Sequence, residues 1–398
     1  MSVASPNLWM LPEGIEDLLP PQAALLEEKR QRLLALFASY GYRLVIPPLM
    51  EYCDSLLVGS GRDLDLKSFK LIDQISGRMM AIRADMTPQV ARIDAQAANS
   101  GDNGVNRYCY FAPLLQALPD EHGGSRSPIQ VGAELFGQRS YNSDIEIIRL
   151  MIAALHILGV DQFILDLGHV GIYRALSTHL ALNRQQETTL FAALQRKSHP
   201  DTALLLQQWQ LPPEQQQLIF ALLELHGDIS ILESAEETLA AVGDELLKAV
   251  QFLRRVARHL ETIPGVTVHI DLAELRGFHY HTDTVFCAYF DDGAGNRGGR
   301  AIAQGGRYDA MGAGFGCKRP ATGFSLDMRS LLPWLVSSEK AAIEISAPPG
   351  QEPSLLEAIA ALRQEGQRVV QRLTPEERAA EGPRLERVDQ LWQVVNPK

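Results

Sequence analysis

The chain has 398 residues, of which 46% are hydrophobic and 21% charged, and its formal net charge is −11. That length accommodates two or three domains with substantial cores, and that balance excludes large-scale disorder. An acidic chain lacks the general attraction to nucleic-acid phosphate that clustered Lys and Arg provide, so tRNA is not expected as a partner. Cys53, Cys109, Cys287 and Cys317 are scattered, with no C-x-x-C pair. Free thiols in a reducing compartment follow, with neither a disulfide framework nor a zinc site. The stretch "MSVASPNLWMLPEGIEDLLPPQ" has no basic flank followed by an apolar core, and no run of about 18 apolar residues occurs. The expectation is a cytoplasmic protein that meets no membrane.

In chain order, "QAALLEEKRQRLLALFASY" (22–40) places Leu26, Leu33, Leu36 and Phe37 at helical spacing, with Gly41 as the stop. "YRLVIPPLMEY" reads as a strand with Pro47 and Pro48 near its end, suited to an edge, bulge or interface. "FKLID", "MMAIRA", "RYCYFAPLL" and "SPIQVGAELFG" follow as strands whose spacing suits an antiparallel sheet. "DIEIIRLMIAALHILGV" is a helix, and "FILDLG" a strand. Residues 172–262, rich in Leu, Gln and Glu at helical spacing, read as an all-helical insertion. Strands resume at "VTVHIDLAE", "FHYHTDTVFCAYF" and "AIAQGGRYD", and "ATGFSLDMRSLL" passes from strand to helix. The tail alternates as strand (IEISAP), helix (PSLLEAIAALRQEG), strand (RVVQRL) and strand (QLWQVV). The domains are therefore 1–171 with 263–340, the helical insertion 172–262, and a small α/β domain 341–398.

Four stretches offer chemistry. In "SPIQVGAELFG", strand alternation sends Gln130, Gly132 and Glu134 to one face. A carboxamide and a carboxylate about 13 Å apart with a bare glycine between them would floor a small polar ligand. They would equally suit a half-solvated strand with a bulge. In "IRADMTPQVAR", Thr87 and Pro88 read as a helix N-cap and first helical residue. Asp85 either meets a ligand amine or favours the helix dipole. In "RGFHYHTDTVF", His279, His281 and Asp283 alternate. Members about 6.5 Å apart with no further cluster make a hydrogen-bonding wall a better reading than a metal site. "AQGGRYDAMG" has neither a Walker lysine nor G-x-G-x-x-G after a strand, so its glycines are a tight turn or close packing. No Ser or Cys sits in a nucleophile elbow. The residues add up to a small-molecule pocket without a catalytic device.

"LPEGIEDLLPP", "YGYRLVIPPLMEY", "RADMTPQ", "YCYFAPLLQALPDEHGGSRSPIQVGAELFG", "RGFHYHTDTVF", "GGRYD" and "ATGFSLDM", in this order, resemble the catalytic core of histidyl-tRNA synthetase over residues 10–335. The resemblance implies an α+β fold, a class II aminoacyl-tRNA synthetase-like antiparallel sheet flanked by helices. It also implies a histidine pocket at Asp85, Thr87, Gln116, Arg126, Gln130, Glu134, Arg276, Tyr280, His281 and Tyr308. His281 stands where the synthetase has a tyrosine.

The ATP positions depart from that pattern. Where the synthetase's second motif reads Pro-x-Phe-Arg-x-Glu, this chain has Pro113, Leu114, Leu115, Gln116, Ala117 and Leu118. Gly124 occupies a further arginine position, and Ser330 that of the third motif, with Arg329 one residue early. Charge-assisted contacts are worth about 1.5–3 kcal/mol each, so their loss should abolish adenylate formation.

Those departures, with "LPEGIEDLLPPQA", "RADMTPQVAR" and "RPATGFSLD", are similar to the regulatory subunits of ATP phosphoribosyltransferase. What that family implies is a non-catalytic subunit, without cofactor or metal, that activates a short-form catalytic subunit. It would transmit feedback inhibition by L-histidine, at the first step of histidine biosynthesis, in a hetero-octamer built on class II-like dimers. A synthetase with degenerate ATP motifs and a stand-alone histidine sensor are the alternatives.

Overall fold

The computed structural model describes residues 9–59, 61–119, 124–274, 280–291, 297–337, 343–378 and 382–396. The chain divides into two compact units, Met1–Leu335 and Val336–Lys398.

In the first unit, α1 (Gln22–Ser39) buries Leu33 and Phe37 and leads to β1 (Arg43–Leu44). The chain then leaves that sheet, and β2 (Met50–Tyr52) belongs to another. "YRLVIPPLMEY" is thus two strands rather than one. Prolines cannot donate to a ladder, and the carbonyls of Pro47 and Pro48 accept from the buried Arg83 guanidinium at 2.9 and 3.4 Å. Next come α2 (Cys53–Leu56), α3 (Gly61–Lys67), β3 (Lys70–Ile72) and β4 (Met79–Ile82). Strands β2, β4 and β3 form a three-stranded antiparallel sheet, in that order.

Helix α4 (Thr87–Asn99) precedes the hairpin of β5 (Asn106–Pro113) and β6 (Ile129–Phe136). Helix α5 (Tyr141–Ile157) starts at a reciprocal cap between Ser140 and Ser143. It is followed by β7 (Phe163–His169) and the helical region: α6 (Val170–His179), α7 (Arg184–Gln195), α8 (His199–Gln208), α9 (Pro213–Glu224), α10 (Ile231–Thr238) and α11 (Asp244–Leu260). This region is not wholly helical, because β8 (His226–Gly227) adds a short edge to the main sheet. Strands β9 (Val266–Asp271), β10 (Thr284–Asp291), β11 (Arg297–Arg307) and β12 (Ala321–Asp327) and the short helix α12 (Met328–Leu331) complete the unit.

The main sheet has nine strands in the order β1-β5-β6-β12-β11-β10-β7-β9-β8. It is mixed rather than purely antiparallel, since β1 runs parallel to β5 and β7 parallel to β9. The β7–β9 pair runs parallel because the helical region carries the chain back to the same end, as a parallel connection requires. One face of β6 packs Val131, Ala133 and Leu135 into a core with Leu33 and Phe37 of α1 and Ile147, Ile148 and Met151 of α5. Leu190, Leu206, Leu222, Leu253 and Val256 extend that core into the helical region.

The second unit has β13 (Glu344–Ala347), α13 (Pro353–Gln364), β14 (Arg368–Gln371), β15 (Arg384–Val388) and β16 (Leu391–Val395), with sheet order β14-β13-β15-β16. Strand β15 escaped the sequence reading because "RLERV" is mostly charged and buries only Leu385. Ile345, Leu355, Ile359, Val369 and Leu385 form its core.

Candidate functional site

The face of β6 opposite the main core carries Gln130, Gly132 and Glu134, and all eight residues of the strand are buried. A half-solvated strand is therefore excluded. Glu134 lies in register with Gly323 of β12, which pairs in turn with Gly306 of β11. The glycines make the room. A Cβ on Gly323 would overlap Glu134 Oε2, and one on Gly306 would come within 2.9 Å of His281 Nε2. A Cβ on Gly132 would meet the Tyr110 hydroxyl at 2.5 Å. Gly305 and Gly306 lie inside β11, so the glycines of GGRYD serve close packing rather than a turn.

Glu134 is 1% exposed and accepts three hydroxyl hydrogen bonds. Thr87 and Tyr110 donate to Oε1 at 3.1 Å each, and Tyr308 donates to Oε2 at 2.6 Å. Burial raises its pKa to about 8, against the hydrogen bond from Tyr308, while Asp85 pushes it further up. Burial and the Glu134 charge hold the Tyr110 and Tyr308 hydroxyls well above the usual phenol range.

Thr87 is not the cap of α4. The helix has no side-chain cap, and the Thr87 hydroxyl is committed to Glu134. Asp85 supplies the local turn instead: its Oδ1 accepts from the Thr87 N–H at 3.0 Å and from Gln130 Nε2 at 3.1 Å. Gln130 Oε1 accepts from the Met86 N–H at 2.9 Å. The β6 face and the segment before α4 are thereby bonded into one constellation.

This constellation lines a cavity of about 640 Å³. Asp85, Thr87, Gln116, Gln130, Glu134, Tyr280, His281 and Tyr308 all border it. The Tyr280 and His281 rings lie 4.2 Å apart. Both precede β10, which begins only at Thr284, so the alternating strand read through "FHYHTDTVF" is not observed for residues 280–283. Arg276 and His279 lie outside the described residues. Asp283 forms an ion pair with Arg139, and no group of three or more metal-competent side chains occurs among the described residues.

Gln116 is 6% exposed, and its Oε1 has no hydrogen-bond partner. Arg126 does not border the cavity; its guanidinium donates to the carbonyls of Gln116 and Glu13, each at 3.1 Å. Arg329 donates to the carbonyls of Ser127 and Glu16 at 2.8 and 3.1 Å. Ser330 and Gly124 do border the cavity, and Lys67 is the one Lys or Arg among its described lining residues.

Two members of the site were missed in the sequence. Tyr110 signals itself only through its pairing opposite Gly132. Arg307, the arginine of GGRYD, is 1% exposed. It bonds Asp144 Oδ1 at 2.7 Å, the Ser143 hydroxyl at 2.8 Å and Asp309 at 3.0 Å. It anchors the strand end that carries Tyr308 to the start of α5.

Sheet, helices and buried pocket together define a protein with the class II aminoacyl-tRNA synthetase architecture. The family model for histidyl-tRNA synthetase matches residues 14–331, and that for the ATP phosphoribosyltransferase subunit HisZ C-terminal domain matches 341–395. An ATP phosphoribosyltransferase regulatory subunit of Thioalkalivibrio sulfidiphilus is 47% identical over 369 residues, covering 92% of each chain. That of Pseudomonas fluorescens is 44% identical, covering 98% of this chain and 99% of the other. The crystal structure of an ATP phosphoribosyltransferase regulatory subunit/histidyl-tRNA synthetase from Bacillus halodurans superposes with a TM-score of 0.80 at 26% identity, covering 94% of this chain and 95% of that one. The chain belongs to the family of ATP phosphoribosyltransferase regulatory subunits. No helix among its described residues is long and apolar enough to cross a membrane.

Proposed function

We propose that the chain is a non-catalytic regulatory subunit in histidine biosynthesis that activates a short-form ATP phosphoribosyltransferase catalytic subunit and mediates its feedback inhibition by L-histidine. Family membership supports the regulatory role. One observation carries the assignment of effector over substrate. The cavity presents the Asp85 and Glu134 carboxyl groups with the Thr87 and Tyr308 hydroxyls, while neighbouring positions hold the neutral Gln116, Gly124 and Ser330. The arginines that remain nearby, Arg126 and Arg329, are bonded to main-chain carbonyls. A triphosphate needs directed positive charge, and an amino acid with a protonated amine needs the reverse.

In this reading Asp85 and Glu134 receive the ammonium and imidazole groups of histidine. Thr87, Gln130, Tyr280, His281 and Tyr308 enclose the ligand, with Gln116 offering a buried carboxamide. Arg276 keeps its place in the ligand set through the family resemblance. Arg126 acts from outside the cavity by holding the main chain of Gln116. Regulation requires histidine to bind one state of the assembly more tightly than another, since a ligand without differential affinity shifts nothing.

Self-association as a class II-like dimer, within a hetero-octamer, fits the exposure of Ile46 and Leu49 ahead of β2, of Met50, Ile72 and Met79 on the three-stranded sheet, and of Ile75 in its β3–β4 turn. Patches of this kind mark contact surfaces.

The test mixes the protein with a short-form catalytic subunit and measures phosphoribosyl transfer with and without histidine. Activation and acquired histidine sensitivity are expected. Charging of tRNA with no effect on the transferase would overturn the reading.

A further inference from the structure

The cavity extends well beyond the constellation around Glu134. Its volume of about 640 Å³ falls in the range that holds drug-sized ligands. The constellation gathers at β6 and the start of α4, whereas the cavity continues across the sheet. Gly132 of β6 is in register with Ser325 of β12, Ser325 with Gln304 of β11, and Gln304 with Cys287 of β10. Side chains paired across neighbouring strands share a face. Three strand spacings carry this row about 14 Å away from β6. Ser325, Gln304 and Cys287 all border the cavity and floor this second compartment. Helix α7 supplies a wall, since Phe191 and Gln195 border the cavity too and lie four residues apart on one side of the helix.

The polar groups of this compartment are neutral. Gln304 is exposed although β11 is an interior strand of the nine-stranded sheet, because the cavity opens over it. Gln195 is exposed as well, and neither carboxamide hydrogen-bonds to another residue among the described residues. Each carries two N–H donors and a carbonyl acceptor. Around the whole cavity, the described lining residues set the carboxyl groups of Asp85, Glu134, Glu274 and Asp327 against Lys67. That balance opposes an added carboxylate and leaves a neutral amide untouched.

We propose that the second compartment binds an amide-linked extension of the amino acid. The cavity then takes histidine whose carboxyl carbon is joined to nitrogen, as in a histidine amide or the first residue of a peptide. The proposal rests on the histidine reading of the constellation and specifies the ligand further. An amide offers an N–H and a carbonyl, both of which a carboxamide can match, whereas a carboxylate offers acceptors alone. A ligand seated over Gly132 between Glu134 and Asp85 enters the row at Ser325 and meets Gln304 next, with Phe191 beside it.

Calorimetry on the full chain compares L-histidine, L-histidinamide and L-histidyl-glycinamide at about pH 6, where all three amines are protonated. The amides are expected to bind about three- to tenfold more tightly than histidine, and Gln304→Leu should cut that advantage by a similar factor. The readout is the ratio of two affinities within one variant, which partial misfolding leaves unchanged. Whichever amide binds more tightly tells a simple amide from a peptide. Amides that bind more weakly than histidine, or a ratio unaltered in Gln304→Leu, would overturn the proposal and leave the histidine site standing. Binding of none of the three would overturn the effector reading and this proposal with it.

Discussion

The Tyr308 hydroxyl donates to Glu134 Oε2 at 2.6 Å although the two residues stand 174 positions apart. Gly323 of β12 and Gly306 of β11 lie in the intervening strands, both without a side chain to block the contact. The bond holds a fully buried carboxylate that would otherwise lose hydration without compensation. Tyr308→Phe should therefore weaken histidine binding by about 1–3 kcal/mol, roughly five- to more than a hundredfold in Kd, with the fold retained. Calorimetry and circular dichroism check this, and unchanged affinity would remove Tyr308 from the site.

The raised pKa of Glu134 has a direction in stability. In the unfolded chain this carboxyl titrates near 4.5, and in the folded protein at about 8. The folded state holds the proton more tightly, so the favourable contribution is full below about 4.5 and is lost as pH rises through about 8. Glu134→Gln should flatten that fall. The difference between wild-type and variant denaturation midpoints, followed from pH 5 to 9, is expected to shift steadily toward the variant. A pH-independent difference would contradict it.

Gly323→Ala tests the space around the carboxylate. The new methyl group would overlap Glu134 Oε2, and the Ala133 carbonyl leaves little relief at 2.9 Å. Overpacking of this kind costs about 1–3 kcal/mol, and displacement of Glu134 should abolish histidine binding as well. Thermal unfolding and calorimetry would show both losses together. Retained affinity would mean that the carboxylate is not a ligand.

Arg307→Ala should be among the most damaging substitutions outside the cavity lining. It strips Asp144 and Asp309 of their buried counter-ion, and breaking such a pair costs about 3–5 kcal/mol. Chemical denaturation gives the number. A loss below about 1 kcal/mol would show that the network is solvated, as exposed pairs are.

Arg329→Ala and Arg126→Ala should act on the N-terminal segment rather than on effector affinity. Their guanidinium groups hold the carbonyls of Glu16 and Glu13. Faster amide exchange around residues 13–16 is expected, with histidine affinity within about threefold of wild type. A large loss of affinity in either variant would instead give these arginines a direct role at the ligand.

The parts of the site that were legible in the sequence are those governed by short-range geometry. Period-two alternation placed Gln130 and Glu134 on one face of β6, and the motif order pointed to the class II architecture. The misreadings involve partners distant along the chain. Thr87 reads as a cap because its neighbours support one, yet its hydroxyl bonds a carboxylate 47 residues away. Tyr110 carries no local signal at all. The strand read through His281 begins late in the fold, only at Thr284, where the Arg307 carbonyl accepts from the Thr282 N–H and Arg174 donates to the His281 carbonyl.

By itself the sequence determined most of the elements, the alternation that aims side chains to one face, and the lack of arginines at the positions where the synthetase resemblance expects them. Those properties are local, set by residue type and spacing. Only the tertiary structure decided that the polar face of β6 is buried, that Glu134 shares three hydroxyl donors, and that Arg126 and Arg329 bind main-chain carbonyls. Burial and hydrogen-bond partnership depend on which strands lie side by side, and the order β5-β6-β12-β11 joins residues from ends of the chain that no local pattern connects.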